Sequence, residues 1–197
     1  VGKSAFEVPF HPIDTKQTQV IYEDRGLTVT SLPLLHRVPC CGFLFREKPS
    51  LPHIKREMID FYKIPHYAIN SIKQGADWTT PEGDIIPNHR LVFAGDAPRS
   101  YAYCSDTAYC PSLCETLKGV NLLYHEATFD EDMAERARLV GHSTARQAAQ
   151  IARAAEVGQL LLGHFSARYE DETVLLQEAR EVFPNAILAH EGLCISL

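Results

Sequence analysis

An α/β fold, one mixed sheet with helices packed outside it, is the class this sequence predicts. Three observations carry that prediction. From residue 101 onward, short apolar runs (101–104, 120–124, 160–162) alternate with helical patterns (111–118, 131–139, 144–157, 172–183). The runs are bounded by Gly, Pro and Asp, the usual stops between elements. Chemically able side chains sit where the runs end: Asp106, His125, Glu126, His142 and His164. In α/β folds such ends converge on one rim of the sheet, where chemistry is usually carried.

The elements follow in order. Gln19–Glu23 and residues 27–31 are rich in Val, Ile, Tyr and Thr and read as strands, with Asp24-Arg25-Gly26 as their turn. The second run continues through Pro33 towards His36, and Cys41–Glu47 reads as a third strand, leaving His36 in a loop. A short helix is expected over 52–62, with Pro52 suited to its first turn and Ile54, Met58, Ile59 and Tyr62 on one face. Residues 49–87 are irregular and punctuated by Gly and Pro, and read as an insertion projecting from the core. Regular alternation starts with strands over 90–94 and 101–104, then a helix over 111–118 ended by Gly119. A buried strand over 120–124 delivers His125. Thr144 and Gln147 form a capping box for a helix with an alanine-rich apolar face. Residues 160–162 deliver His164, and strands over 186–189 and 193–197 close the chain.

Bulk properties narrow the function classes. The chain has 197 residues and a net charge of −6, which argues against a generic nucleic-acid coat. Yet the stretch 46–73 carries six Lys/Arg against three Asp/Glu, a basic segment on an acidic body. No apolar run approaches the ~20 residues that span a bilayer, and no charged-then-apolar leader opens the chain, so a cytoplasmic location is the expectation. Six cysteines without CxxC spacing read as reduced, mostly buried thiols. Gly2-Lys3-Ser4 has the ending of a phosphate loop without the rest of the motif.

Histidine and aspartate at strand ends are first-row metal ligands, and a carboxylate can bridge two ions. His36, Asp106 and His164 are the candidates. A lone histidine in a loop between strands, as His36 is, is normally just a surface residue, and three ligands are too few for a two-metal centre. Glu126 and His142 form a second kind of pair: a carboxylate that fixes one imidazole nitrogen leaves the other able to move a proton. The plainer alternatives are a helix-start carboxylate for Glu126 and a residue beside a cap for His142. Ser143 and Ser166 lack a Gly-x-Ser-x-Gly elbow and are not nucleophiles.

The ordered set is more specific than its parts. Leu35-His36-Arg37-Val38-Pro39 with Gly42-Phe43, then Asp106-Thr107, His125-Glu126-Ala127-Thr128-Phe129, Gly141-His142-Ser143-Thr144, and His164-Phe165-Ser166-Ala167-Arg168-Tyr169 closely resembles ribonuclease Z. That family comprises metallo-β-lactamase-fold endonucleases that remove 3′ trailers from precursor tRNA. The resemblance runs from about Gln19 to the end. It implies an αββα sandwich, here mainly its C-terminal half, with residues 49–87 as an exosite-like arm. It implies two zinc ions, with His36 and His164 each on one and Asp106 bridging. His142 would be the proton donor and Glu126 its orienter, with a metal-activated hydroxide attacking phosphorus and leaving a tRNA 3′-OH. His125 is read as structural. Arg168 and Tyr169 either buttress the metal loop or meet phosphate. Lys55, Arg56, Lys63, Lys73 and Arg168 are candidate RNA contacts. Precursor tRNA is the implied partner, and a homodimer the implied assembly.

Three features depart from the family. Its His-x-His-x-Asp-His element, which carries further metal ligands and the general base, is absent from these 197 residues. The expectation is a C-terminal part of a longer protein, inactive alone. The Gly-Pro pair near the arm's tip is replaced by Pro65-His66-Tyr67-Ala68. Ser105 stands where a Gly precedes the bridging Asp, and Glu191 where an Asp is common. Two other functions remain open: a phosphodiesterase for small diesters, suggested by the altered arm, and a non-catalytic RNA-binding or dimer-forming half.

Overall fold

The computed structural model describes residues 7–197; the Gly2-Lys3-Ser4 run lies outside the described residues. The chain divides into two compact units, one ending at Arg46 and resuming at Arg99, the other Glu47–Pro98. The first opens with β1 (Gln19–Glu23), β2 (Leu27–Pro33) and β3 (Cys41–Glu47). β1 and β2 are antiparallel, with a bulge between Val20 and Tyr22. Asp24 makes their turn: its Oδ1 accepts from the N–H groups of Gly26 and Leu27, each at 2.7 Å.

The second unit contains β4 (His53–Ile54), α1 (Arg56–Tyr62), α2 (His66–Lys73), β5 (Trp78–Thr79), β6 (Ile85–Ile86), α3 (Asn88–Leu91) and β7 (Val92–Phe93). It has its own small core of Ile64, Ala68, Ile72, Ile86 and Leu91. Asn88 staples it, donating through Nδ2 to the carbonyls of Ile72 and Ala76. Two expectations are corrected here. The helix expected over 52–62 starts only at Arg56, because His53 and Ile54 pair as a strand with Phe93 and Val92. The strand expected over 90–94 is a helical turn through Leu91 followed by that two-residue strand. The expected insertion, 49–87, falls inside this unit.

The first unit resumes with β8 (Ser100–Cys104), α4 (Leu113–Thr116), β9 (Leu122–Glu126), a 3-10 turn (Glu131–Met133), α5 (Ala134–Val140), α6 (Ala145–Ala154), β10 (Gln159–Gly163), α7 (Thr173–Val182) and β11 (Ala186–Leu188). Seven strands form one sheet in the order β1-β2-β3-β8-β9-β10-β11. β3 is antiparallel to β8, whereas β8, β9, β10 and β11 run parallel. Residues 193–197 form no strand; that expected closing strand is corrected to an irregular tail with Leu197 exposed.

Register assigns the two faces of this sheet. Leu44, Ala102, Cys104, Leu123, Leu160 and Leu162 share one face and are buried with α6 and α7. Each fully buried leucine there contributes about 1.5–3 kcal/mol. α6 meets them through Ala148, Ala149, Ile151 and Ala152, all fully buried. Thr144 caps α6 in the expected box, its Oγ1 accepting from the Gln147 N–H and its own N–H donating to Gln147 Oε1. The opposite face carries Phe43, Phe45, Tyr101, Tyr103 and Tyr124, none of them fully buried. Tyr103 and Tyr124 stack at 4.7 Å. All six cysteines are free thiols, as expected, but only Cys104 and Cys110 are buried, which corrects the expectation of mostly buried thiols; burial pushes the Cys104 thiol up to about 12. No helix among the described residues is long and apolar enough to cross a membrane.

Candidate metal and proton-transfer site

Because β8, β9 and β10 are parallel, their carboxyl ends lie on one rim. Asp106 follows β8 by two residues, Glu126 ends β9 and His164 follows β10 directly. β9 does not stop at Tyr124, as expected, but runs through His125 and Glu126. Glu126 is therefore an in-sheet residue and not a helix-start carboxylate. His36 arrives from the loop after β2, which is tied to the Asp106 loop: Ala108 N–H donates to the Leu35 carbonyl, and Leu35 N–H to Thr107 Oγ1.

Glu126 is completely buried and fully engaged. Its Oε1 accepts from the Thr107 N–H and from His142 Nδ1 at 3.0 Å. Its Oε2 accepts from the Ser143 N–H at 3.0 Å and from Thr128 Oγ1 at 2.6 Å. Four donors fix this carboxylate in place, away from water. His142 Nδ1 thereby carries its proton on the Glu126 side, and Nε2 is the nitrogen left for chemistry. The expected carboxylate–imidazole pair is thus present in the geometry.

Asp106, Glu126, His142 and His164 offer ligand-type atoms all within 4.8 Å of one another, the group among the described residues able to hold a metal. His164 Nε2 lies 3.0 Å from Asp106 Oδ1. The other nitrogen of His164, Nδ1, is 3.0 Å from Thr128 Oγ1. With the Thr128 proton given to Glu126 at 2.6 Å, Thr128 Oγ1 accepts from Nδ1–H. The lone pair on His164 Nε2 then faces a carboxylate oxygen, an arrangement that suits a cation between them. His36 lies just outside this group. Its Nδ1 donates to the Gly141 carbonyl at 2.9 Å, leaving Nε2 as its lone-pair atom. The imidazoles form a row, His36–His142 at 5.0 Å and His142–His164 at 5.2 Å between centroids.

Backbone strain marks the same residues. Asp106 (φ 60°) and His164 (φ 57°) occupy the left-handed region, which non-glycine residues rarely adopt. Gly141, with φ 83°, ends α5, and a Cβ there would meet His36 Nδ1 at 3.0 Å. This position needs glycine for both reasons.

Residues that sequence reasoning passed over complete the site. Thr128 links Glu126 to His164, and Ser143 Oγ donates to the Thr107 carbonyl at 2.7 Å. Ser143 is fully buried, in keeping with its rejection as a nucleophile. The signal for Thr128 is its place two residues after Glu126 in the same motif. His125 points away from the site, to the buried face shared with Cys104 and Leu162; its Nδ1 donates to the Glu126 carbonyl, its Nε2 has no partner among the described residues, and burial holds its pKa below the ordinary value. Tyr169 Oη accepts from the Asp130 N–H at 2.9 Å, bracing the loop after β10. Arg168 is exposed, with its guanidinium 5.1 Å from the Phe129 ring centroid and Nε donating to Ser166 Oγ. Lys55, Arg56, Lys63 and Lys73 all lie in the second unit. Lys55 Nζ donates to the Arg90 carbonyl, and Lys63 is an exposed left-handed cap at φ 48°.

Comparison with known proteins fits this geometry. The chain is 60% identical over 193 residues to ribonuclease Z of Bacteroides fragilis, covering 98% of this chain and 64% of that protein. The match is to ribonuclease Z. Identity to the ribonuclease Z of Porphyromonas gingivalis is 47% over 192 residues, 98% of this chain and 63% of that protein. The chain thus spans just under two thirds of the length of these ribonuclease Z relatives. Among solved structures, the metallo-β-lactamase-fold protein YhfI of Bacillus subtilis superposes with a TM-score of 0.57 at 20% identity, over 92% of this chain and 53% of that one. Human tRNase Z, short form, superposes with a TM-score of 0.54 at 20% identity, over 92% and 47%. These likenesses show the metallo-β-lactamase fold. No protein-family model matches the chain.

Proposed function

We propose that this chain carries one wall of the active site of a zinc-dependent endoribonuclease that removes the 3′ trailer of precursor tRNA. The observation that carries the proposal is the Glu126–His142 pair set beside Asp106 and His164 on the rim of a sheet whose sequence is 60% identical to a ribonuclease Z.

The residues present fit a metal. Asp106 and His164 would hold it, and His36 would join them. Each histidine has its other nitrogen fixed, by Thr128 for His164 and by Gly141 for His36. Zinc, when bound, supplies Lewis acidity toward water and toward a phosphate oxygen. The chain's own work is proton control and placement. Glu126 holds His142 Nδ1–H, so a His142 that also carries a proton on Nε2 can give that second proton to the departing 3′-oxygen, ending as neutral imidazole, or steady charge on the phosphorane. The hydroxyl of Thr128 couples the same carboxylate to His164, so proton donor and ligand are positioned by one side chain.

Arg56, Lys63 and Lys73, with Arg168, are proposed RNA contacts; Lys55 serves less well because its ammonium already holds a carbonyl. A homodimer is proposed from the resemblance, with sedimentation as its check, and the cytoplasm as its location from the substrate.

The test assays the full-length protein on precursor tRNA and on a small chromogenic phosphodiester. Cleavage of the tRNA at the trailer junction is expected. Cleavage of the diester alone would overturn the tRNA assignment, and cleavage of neither by zinc-loaded protein would favour a non-catalytic role.

A further inference from the structure

A cavity of about 330 Å³ opens beside His142, lined by Ala108, Tyr109, Ala134, Glu135, Arg138 and Gln147 as well. It lies at the small end of ligand-binding pockets, with room for one nucleoside. We propose that it receives the base of a nucleotide flanking the scissile phosphate, with Tyr109 as the stacking platform; the proposal rests on the nuclease function above.

Position comes first. His142 forms part of the wall, so a group seated here adjoins the proton donor. Tyr109 stands three residues beyond Asp106 on the same loop, and it is 38% exposed, unlike the buried Cys110 after it. A half-exposed ring at the edge of a cavity is costly for folding and useful for stacking a base.

Charge then selects what enters. Arg138 is the cation of this wall, and Glu135 grips it twice, at 2.7 Å through Nη2 and 3.2 Å through Nε. The pair cancels, so the cavity does not attract a phosphate; a neutral flat ring fits it better. Gln147 supplies polarity of the right kind. Its carbonyl oxygen is engaged by the Thr144 N–H at 3.1 Å, which leaves the amide N–H groups to meet an acceptor on a base edge. Ala108 and Ala134 keep the walls low, leaving space that larger side chains would fill.

The experiment compares wild type and Tyr109→Ala, in the full-length zinc-loaded enzyme, on intact precursor tRNA and on precursors with an abasic residue immediately 5′ or 3′ of the cleavage site. For wild type, one of the two abasic substrates should lose roughly tenfold or more in kcat/KM, the scale of one lost stacking contact. Tyr109→Ala should show a similar loss on the intact substrate and little further loss on that abasic one, because the same contact is removed from either side. Tyr109→Phe should restore cleavage, since the ring and not the hydroxyl carries the contact. Penalties that multiply, or a Tyr109→Ala enzyme equal to wild type on intact tRNA, would overturn the cavity proposal alone. Failure of the wild-type enzyme to cleave any precursor tRNA would overturn the nuclease function and this proposal together.

Discussion

The two halves of the site are built to different standards. Around Glu126 the network is closed: the carboxylate is fully buried, four donors satisfy it, and the His142 side chain is only 16% exposed. Around Asp106 the site is open. The Asp106 and His164 side chains are 48% and 40% exposed, and both backbones sit at positive φ. The closed half is completed by the chain's own backbone, from Thr107 and Ser143. The open half holds Asp106 and His164, the proposed ligands, in a strained pose. The difference teaches that His142 is held by contacts that folding completes, whereas Asp106 and His164 keep exposed polar atoms, as the proposed metal site requires. It also implies that the three proposed ligands in these 197 residues hold zinc weakly: dialysis followed by metal analysis should leave well under one ion per chain, and two retained ions would overturn that.

The largest effect should come from breaking the open half. In the full-length protein, Asp106→Ala should abolish both bound metal and cleavage, as read by metal analysis and product formation. Next is the donor. His142→Ala should lower kcat by roughly 10²–10⁴-fold, the usual contribution of a placed proton donor. Metal content should stay at the wild-type level. Loss of the metal with His142 would show that it is a ligand, and that the two halves are not separable.

Breaking the closed half should instead cost stability. Glu126→Gln replaces an acceptor-only group by one that brings its own N–H pair against donors from Thr107, Ser143, Thr128 and His142. A loss of about 3 kcal/mol is expected in denaturant unfolding, the scale of a buried charge network left unpaired. Asp106→Asn, on the open half, should change stability far less. Equal losses would mean that the open half contributes to folding no less than the closed one.

This contrast was unequally legible in the sequence. The loop positions of His36, Asp106, His142 and His164 follow from short apolar runs stopping at turn residues, and the Thr144–Gln147 box is local chemistry. Glu126 was legible as a partner for His142 but not as an in-sheet residue. A charged residue reads as the end of a strand, and three of the four donors that permit its burial lie 16 to 19 residues away. The same holds for His53–Ile54, where Pro52 is a genuine helix-start signal overruled by pairing with residues about 40 positions later. Residues 193–197 alternate like a strand but have no neighbour to pair with in the sheet, and pattern alone does not supply one.

A smaller, pH-dependent effect separates the sheet's buried face from the site. Burial lowers the His125 pKa below its ordinary value of 6.5. The unfolded chain then binds this proton more readily than the folded one. Its contribution to stability is therefore present above about pH 6.5 and is lost as the pH falls below it. Urea unfolding between pH 8 and 5 should show that decline, and His125→Leu should flatten it. An unchanged slope in the variant would assign the decline to other groups.

The smallest effect is the most discriminating for the closed half. Thr144 caps α6 two residues after His142, and its hydroxyl also donates to Glu131 Oε2 at 2.8 Å. Thr144→Ala should cost about 1 kcal/mol, the usual value of an N-cap. For a chain of this length that lowers the melting temperature by roughly 2–4 °C. If Glu126 sets the pose of His142, the catalytic loss should stay under about tenfold, because the bond to Nδ1 survives the lost cap. If the cap sets it, kcat should fall as far as in His142→Ala while stability falls only by the cap's worth. The first outcome places the control of the donor in the buried carboxylate; the second would move it to the helix start.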